Sequence, residues 1–272
     1  MSAESTSNME LFQYPLSLNC QKVRIALEEK NLDYVLHEIN PLKAKNLDPD
    51  FFRENSSGAL PVLKNGNVVI CESLPILQYI NGINGPMGDD KVHHEKVDEW
   101  VKKVDEWDAK TFTLSHVSEG TIRFFSRFKR RVVIARMAKN PDLANKYHNK
   151  LNSMHAMEEK LKSNEALSVN EKQLIDLLDE AENQLGTTEF MAGFEFSIAD
   201  AAFVPVLARI QLLKLVPELL KPRPRLLDYF VRMKKRPSYK EVVQGYSSQL
   251  KQMRVLVPSM CNVAVRKLFS KY

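Results

Sequence analysis

The stretch from Asn55 to Tyr79, ENSSGALPVLKNGNVVICESLPILQY, carries the groups best suited to gripping a small acidic peptide. Asn65-Gly66 lies between two apolar runs and signals a hairpin whose two central residues take φ > 0. Pro61 opens the first strand of that hairpin. A cis bond there would turn the N–H and C=O of Leu60 outward. The second strand, Val68-Val69-Ile70, runs into Glu72-Ser73. Ser73 is placed to cap the next helix, whose free N–H groups and positive dipole end suit an anion. The two devices form a backbone clamp beside a carboxylate pocket, as a small γ-glutamyl peptide would require.

These groups need a frame. Met9-Glu10-Leu11-Phe12 reads as a short strand and Tyr14-Pro15-Leu16-Ser17 as a loop. Val23, Ile25, Ala26 and Leu27 mark a helix that also carries Lys22 and Arg24, with Ser17 near its start. A second strand over Tyr34–Ile39 and a helix near Asp50–Asn55 complete a β-α-β-α-β-β-α order over residues 9–81. The run NGINGPMGDD then reads as a linker. From Lys91 the pattern is helical: Val97, Trp100, Val101, Val104 and Trp107 share one face. Between Ile122 and Val133 apolar residues alternate with Arg123, Arg127, Lys129, Arg130 and Arg131, and Asn140-Pro141 closes that helix. A further helix is expected from about Glu171 to Leu185, stopping at Gly186. Ser197 and Asp200 are spaced as a capping box. Pro205 predicts a kink in the helix that follows.

The strings YPLSLNCQKVRIALEEKNLDY, NSSGALPVL and CESLPILQYI resemble the thioredoxin-like domain of glutathione transferases. Phe196-Ser197-Ile198-Ala199-Asp200 resembles the segment that nucleates their helical domain. DPDFFR, VVIARMA and Lys235-Arg236-Pro237-Ser238-Tyr239-Lys240 bring the likeness nearest to the plant class named after tetrachlorohydroquinone dehalogenase. It covers nearly the whole chain from Met9 on. The implied fold is α/β plus all-α: a thioredoxin-like domain over residues 9–82, a linker over 83–90, and an enlarged helical domain over 91–245. A charged insertion occupies 118–165. Residues 1–8 are expected to be disordered and 246–272 to form a basic extension.

The resemblance implies glutathione as co-substrate. A free thiol has a pKa of about 8.5, and lowering it by ~2 units takes roughly 2.7 kcal/mol. A hydroxyl hydrogen bond to a charged acceptor gives ~1.5–3 kcal/mol, and a helix N-terminus adds ~0.3–1 kcal/mol. One serine at a helix start therefore nearly suffices. From the residues alone Ser17 reads first as an ordinary cap; the resemblance assigns it the thiol-activating role, as a donor and not a base. It also assigns the backbone clamp to Leu60 and Pro61 and the γ-glutamyl end to Glu72 and Ser73. At the glycyl end, positions that often carry His, Lys or Gln hold Asn46 and Ala59, so Lys45 is expected to compensate and binding to be weaker than in a fully equipped site. Cys20 reads as a small core residue or as a redox-sensitive thiol. Serine at position 17 argues against reductive dehalogenation. For the electrophile, Trp107, Phe112 and the aromatics of 122–128 are candidates beside Tyr14-Pro15-Leu16.

The expected function is transfer of glutathione to a hydrophobic electrophile, a detoxifying role in a plant. The alternatives are a glutathione-dependent thiol transferase or peroxidase, and a non-catalytic binding module on the same fold. A homodimer in the cytoplasm goes with the resemblance. No run approaches the ~18 apolar residues of a membrane span, and MSAESTSN has no secretory apolar core. Three scattered cysteines suit a reducing compartment. The six histidines lack ligand spacing, so no metal is expected. The net charge of +5 sits in the tail: without Lys251, Arg254, Arg266, Lys267 and Lys271 the chain holds 34 basic and 34 acidic residues. That tail mixes basic residues with Met253, Leu256, Val257, Met260, Val263, Val265, Leu268 and Phe269. It suits either an anionic membrane surface or packing back on the helical domain, with Pro258 expected to break it. Nucleic acid is not expected, for want of aromatic stacking platforms.

Overall fold

A computed structural model describes residues 9–246 and 249–269; the segment 1–8, expected to be disordered, and the last three residues lie outside it. In chain order the elements are β1 (Met9–Gln13), α1 (Leu18–Glu29), β2 (Val35–Glu38), α2 (Pro49–Glu54), β3 (Val62–Asn65), β4 (Val68–Cys71) and α3 (Ser73–Gly82). Then follow α4 (His94–Glu106), α5 (Ala109–Ser115), α6 (Glu119–Lys139), α7 (Ala144–Lys162), α8 (Asn164–Gln184) and α9 (Ile198–Leu212). The chain ends in α10 (Val216–Leu219), α11 (Pro224–Met233), α12 (Pro237–Val242) and α13 (Gln249–Leu268). Short 3₁₀ turns stand at Pro41–Lys43, Lys45–Leu47, Pro141–Leu143 and Gln244–Tyr246. This is the expected thioredoxin-like β-α-β-α-β-β-α order followed by helices.

The described residues fall into two compact units. One comprises the strands with α1, α3, α4 and the chain from Ile175 through α12; the other comprises Ile39–Ala59, Asp108–Leu174 and α13. In the first unit the sheet order is β2-β1-β3-β4. β1 and β2 are parallel, and β1/β3 and β3/β4 antiparallel. The hairpin turn differs by one residue from expectation. Asn65 pairs with Val68, so the central residues are Gly66 and Asn67. Only Gly66 takes positive φ (58°), as a glycine-first type II′ turn requires. Asn65 is instead a strand residue whose side chain donates to the Tyr79 hydroxyl at 2.9 Å.

Helix α9 is buried on every side from Ile198 to Ile210 and packs on α1 and α4. It runs on through Pro205. Its start is the capping box: Ser197 Oγ accepts from the Ala199 amide at 3.3 Å, and the Asp200 carboxylate accepts from the Ser197 amide at 2.9 Å. The same carboxylate, fully buried, also accepts from the Ser197 hydroxyl (3.0 Å), the Met191 amide (2.9 Å) and the Tyr229 hydroxyl (2.7 Å).

Two helices depart from expectation. α8 begins at Asn164 and not near Glu171, because Ser163 both ends α7 and caps α8: its Oγ accepts from the Ala166 amide at 3.2 Å. α13 is one helix with Pro258 inside it. The proline removes a single backbone bond, and the helix is held by burial of Ser259 and Val263.

In the second unit, Val263 joins a core of Leu47, Phe52, Phe125, Phe128, Val132 and Tyr147. The apolar residues of α6 alternate inward as the sequence pattern suggests. The Tyr147 hydroxyl donates to the Leu47 carbonyl at 2.8 Å, and Arg136 reaches the Ala44 carbonyl at 3.0 Å and the Asp48 carboxylate. Hence α6 and α7 fasten the 3₁₀ turn that carries Lys45 and Asn46.

Asp200→Ala removes the partner of four buried donors; at about 1 kcal/mol each, it is expected to lower the unfolding free energy in urea by about 3–4 kcal/mol. Tyr229→Phe, which deletes one of the four, should cost about 1 kcal/mol.

Candidate active site

Register brings the sequence-predicted groups of the first unit together. Val62 pairs with Phe12 on one side and Cys71 on the other. Leu60-Pro61, immediately before Val62, therefore lies at the same end of the sheet as the loop after β1 and the start of α3 after β4. Neighbouring strands stand about 4.8 Å apart, so Ser17, Leu60-Pro61 and Glu72-Ser73 converge. The Leu60–Pro61 bond is cis.

Ser17 is the N-cap of α1, half-buried, with its Oγ accepting from the Cys20 amide at 3.4 Å. The loop that presents it is held at each carbonyl. The Ser17 amide donates to the Tyr14 carbonyl at 2.9 Å, Gln21 Nε2 donates to the Pro15 carbonyl at 2.9 Å, and Arg209 donates to the Leu16 carbonyl at 2.7 Å. Arg209 is nearly buried in α9, and burial pushes its guanidinium down to about 10. The sequence carried one signal for it: a lone arginine inside the apolar run of α9.

Cys20 is fully buried. Burial pushes its thiol up to about 11, against the pull of the Ser17 hydroxyl and the Tyr14 amide. At neutral pH such a thiol is protonated and inert. Among the described residues the buried Tyr14 hydroxyl has no hydrogen-bond partner, and burial raises its pKa as well.

Glu72 stands exposed at φ 72°, ψ 151°, a region that costs a non-glycine residue about 1–3 kcal/mol and clusters at ligand sites. Ser73 follows, buried, as the first residue of α3. Ile76 N–H reaches back to Glu72, and Pro75 has no N–H, so the amides of Ser73 and Leu74 are the ones this helix end offers to an anion. The Ser73 hydroxyl is turned to Asp105 of α4 at 2.9 Å. Asp105 in turn lies 3.9 Å from the Lys22 ammonium, which is buried and also donates to the Val104 carbonyl at 3.5 Å. Neither Asp105, the partner of Ser73, nor Lys22 behind it was visible in the sequence as part of the site, since α1, α3 and α4 meet only in the fold.

In the second unit Lys45 is exposed and 3.3 Å from Asp48. The Asn46 amide is buried; Nδ2 donates to the Gly58 carbonyl at 2.6 Å, and among the described residues Oδ1 has no partner. Trp107 and Phe112, candidates for the electrophile pocket, are buried, as are Phe125 and Phe128. Among the described residues no group of three or more His, Cys, Asp or Glu could hold a metal ion, and no helix is long and apolar enough to cross a membrane.

A thioredoxin-like sheet with a helix-capping serine, a proline-led strand and a serine-started helix at one end defines the glutathione-transferase class of fold. Residues 11–86 match the family model described as "Glutathione S-transferase, N-terminal domain", and residues 138–237 match "Glutathione S-transferase, C-terminal domain". Glutathione S-transferase TCHQD of Arabidopsis thaliana is 41% identical over 97% of this chain and 100% of its own length. The tetrachloro-p-hydroquinone reductive dehalogenase of Sphingobium chlorophenolicum is 28% identical over 85% of this chain and 94% of its own. A glutathione transferase family member from Pseudomonas fluorescens, solved with two glutathione molecules bound, superposes with a TM-score of 0.63 at 18% identity, covering 89% of this chain and 94% of that one. The chain belongs to the glutathione S-transferase family, whose members use glutathione.

Burial pushes Lys22 down to about 8, with Asp105 opposing. An unfolded lysine titrates near 10.4, so between these values the unfolded chain binds more protons and stability rises with pH; below pH 8 both states are protonated and the term is flat. Relative to Lys22→Met, the wild-type unfolding free energy should rise by about 2 kcal/mol from pH 8 to pH 10, measured by urea unfolding.

Proposed function

We propose that this protein transfers glutathione to small hydrophobic electrophiles with Ser17 as the thiol-activating residue. The convergence of Ser17, Leu60-Pro61 and Glu72-Ser73 at one end of the sheet carries the reading. The cysteinyl backbone pairs antiparallel with Leu60. The γ-glutamyl carboxylate takes the Ser73 amide at the α3 N-terminus, with Glu72 beside it for the ammonium. The Ser17 oxygen already accepts from the helix, so what the residue gives the ligand is its hydroxyl proton in a hydrogen bond to the sulfur. The thiol proton leaves to water, and the thiolate attacks the electrophilic carbon; with an aromatic halide the C–S bond forms as the carbon–halogen bond breaks and halide leaves to solvent. For the glycyl carboxylate we assign Lys45, because the Asn46 donor is spent on Gly58. A second copy of the chain and the cytoplasm go with this reading.

Titration calorimetry with glutathione, in two buffers of different ionisation enthalpy, tests it. Proton release near neutral pH is expected in the wild type and lost in Ser17→Ala, with kcat/KM toward an aromatic halide falling roughly 10–100-fold. Lys45→Ala should weaken binding severalfold. Binding without proton release in the wild type would make the protein a carrier or sensor.

A second reading concerns α13. Its buried side holds Ser259 and Val263, while Met253, Val257, Met260 and Leu268 are exposed at spacings of four, three and eight, one helical face. Arg254 is exposed beside it, and no acidic residue follows Glu241. We assign this face to an anionic membrane surface. The full chain should float with phosphatidylserine vesicles, less with phosphatidylcholine, and Met253→Asp/Val257→Asp/Leu268→Asp should abolish flotation. Equal binding to both vesicles would overturn the assignment.

A further inference from the structure

Helix α6 carries Arg123, Arg127 and Arg131 at four-residue spacing, all exposed. Like charges at that spacing oppose the helix, so a solvated face gains nothing from the arrangement. Arg123 is answered by Glu119 one turn earlier. Among the described residues Arg127 has no carboxylate partner. Arg127 and Arg131, with Arg130, Ile134, Leu151 and His155, line a hollow of about 400 Å³ formed by α6 and α7, and no carboxylate lines it.

Helix α13 brings a further cation to these arginines. Lys267 donates to the Phe124 carbonyl of α6 at 3.3 Å, and its ammonium stands 3.8 Å from the centre of the Phe124 ring. Burial lowers its proton affinity, and Arg131 and Arg127 lower it further. Cations that oppose one another in this way are relieved most by a ligand with more than one negative charge. The next two residues of the chain are apolar and stand in water. Leu268 and Phe269 are 81% and 69% exposed, the highest values for large apolar side chains among the described residues. Ile134, on the rim of the hollow, is exposed as well. A soluble polyanion would leave these side chains unused, and a neutral bilayer would leave the cations uncompensated.

We propose that Arg127, Arg131 and Lys267 form a binding site for the multiply phosphorylated headgroup of a membrane lipid, with Leu268 and Phe269 inserted among the acyl chains beside it. Basic clusters on or beside an amphipathic helix recognise such headgroups, and guanidinium groups match phosphate oxygens with paired N–H donors. A headgroup with one net charge, such as phosphatidylserine, would leave most of the cluster unanswered. The site rests on the assignment of α13 to an anionic membrane and adds the headgroup class and the α6 residues that read it. None of the residues proposed for glutathione takes part.

The full chain is floated with phosphatidylcholine vesicles carrying either phosphatidylinositol 4,5-bisphosphate or phosphatidylserine at equal total charge. Binding to the bisphosphate vesicles should be roughly tenfold tighter or more. Arg127→Gln should weaken it roughly fivefold, with the unfolding midpoint unchanged because Arg127 is exposed. Arg127→Gln/Arg131→Gln should bring it down to the phosphatidylserine level. Leu268→Asp/Phe269→Asp should abolish flotation with both. Equal affinity of the wild type for the two vesicles, or a preference untouched in the arginine variants, would overturn the headgroup site and leave the α13 assignment standing. Absence of flotation with either vesicle would remove both. Saturable binding of soluble inositol 1,4,5-trisphosphate without flotation would make the ligand a free phosphate ester and overturn the lipid.

Discussion

The pairing of Val62 with Phe12 and Cys71 is the constraint on which the site depends. It sets the ends of three strands level, so groups separated by more than fifty residues in the chain emerge side by side. A slip of one residue in either pairing would turn each affected side chain to the other face of the sheet. The slip is resisted from both directions, by the buried side chains of Leu11 and Leu63 and by a two-residue turn that admits one register. Around this fixed end the fold adds supports: Arg209 and Gln21 on the carbonyls of the serine loop, and Asp105 on the Ser73 hydroxyl. The supports use charged groups in buried places. Lys22 and Arg209 are both pushed toward the neutral form, which is the thermodynamic cost of holding the loop and the helix start in place.

The second unit solves a different problem. The segment from Ile39 to Ala59 contains two 3₁₀ turns and one short helix and buries little by itself. Helices α6 and α7 supply the missing apolar surface, and Arg136, Tyr147 and Lys150 satisfy its backbone carbonyls at Ala44, Leu47 and Ser57. Phe52 stacks on Tyr147 with ring centroids 4.4 Å apart. The charged appearance of α6 therefore has two components. Arg130 and Arg136 are committed to the fold through Glu158 and Asp48. Arg127 is not: it is exposed and has no carboxylate partner among the described residues.

What could be read in advance was local. The order of elements along the chain, the cap at Ser17 and the capping box at Ser197 each depend on residues within a turn or two, and all appear in the structure. The hairpin turn was misplaced by one residue because Asn-Gly and Gly-Asn both fit the same six letters, and only cross-strand packing decides between them. The start of α8 was missed because one serine serves as the end of one helix and the beginning of the next, leaving no loop for the eye. Pro258 was over-weighted: the lost backbone bond is a local term, whereas the burial of Val263 is a tertiary one. The partners of Asp105 and Arg209 were illegible for the same reason, since their bonds close across 32 and 193 residues.

That last separation has a counterpart in the second unit. Asn40 donates to Ser259 across 219 residues, and the core around Phe52 and Tyr147 includes Val263. Synthesis proceeds from the N-terminus, and domains generally fold as they emerge. The turns after β2 are made early, yet Val263, one wall of their core, is translated only after all the helices from α3 to α12. Until then Leu47, Phe52 and Tyr147 form an unfinished apolar surface, and the nascent chain carries it exposed through the translation of all the helices between.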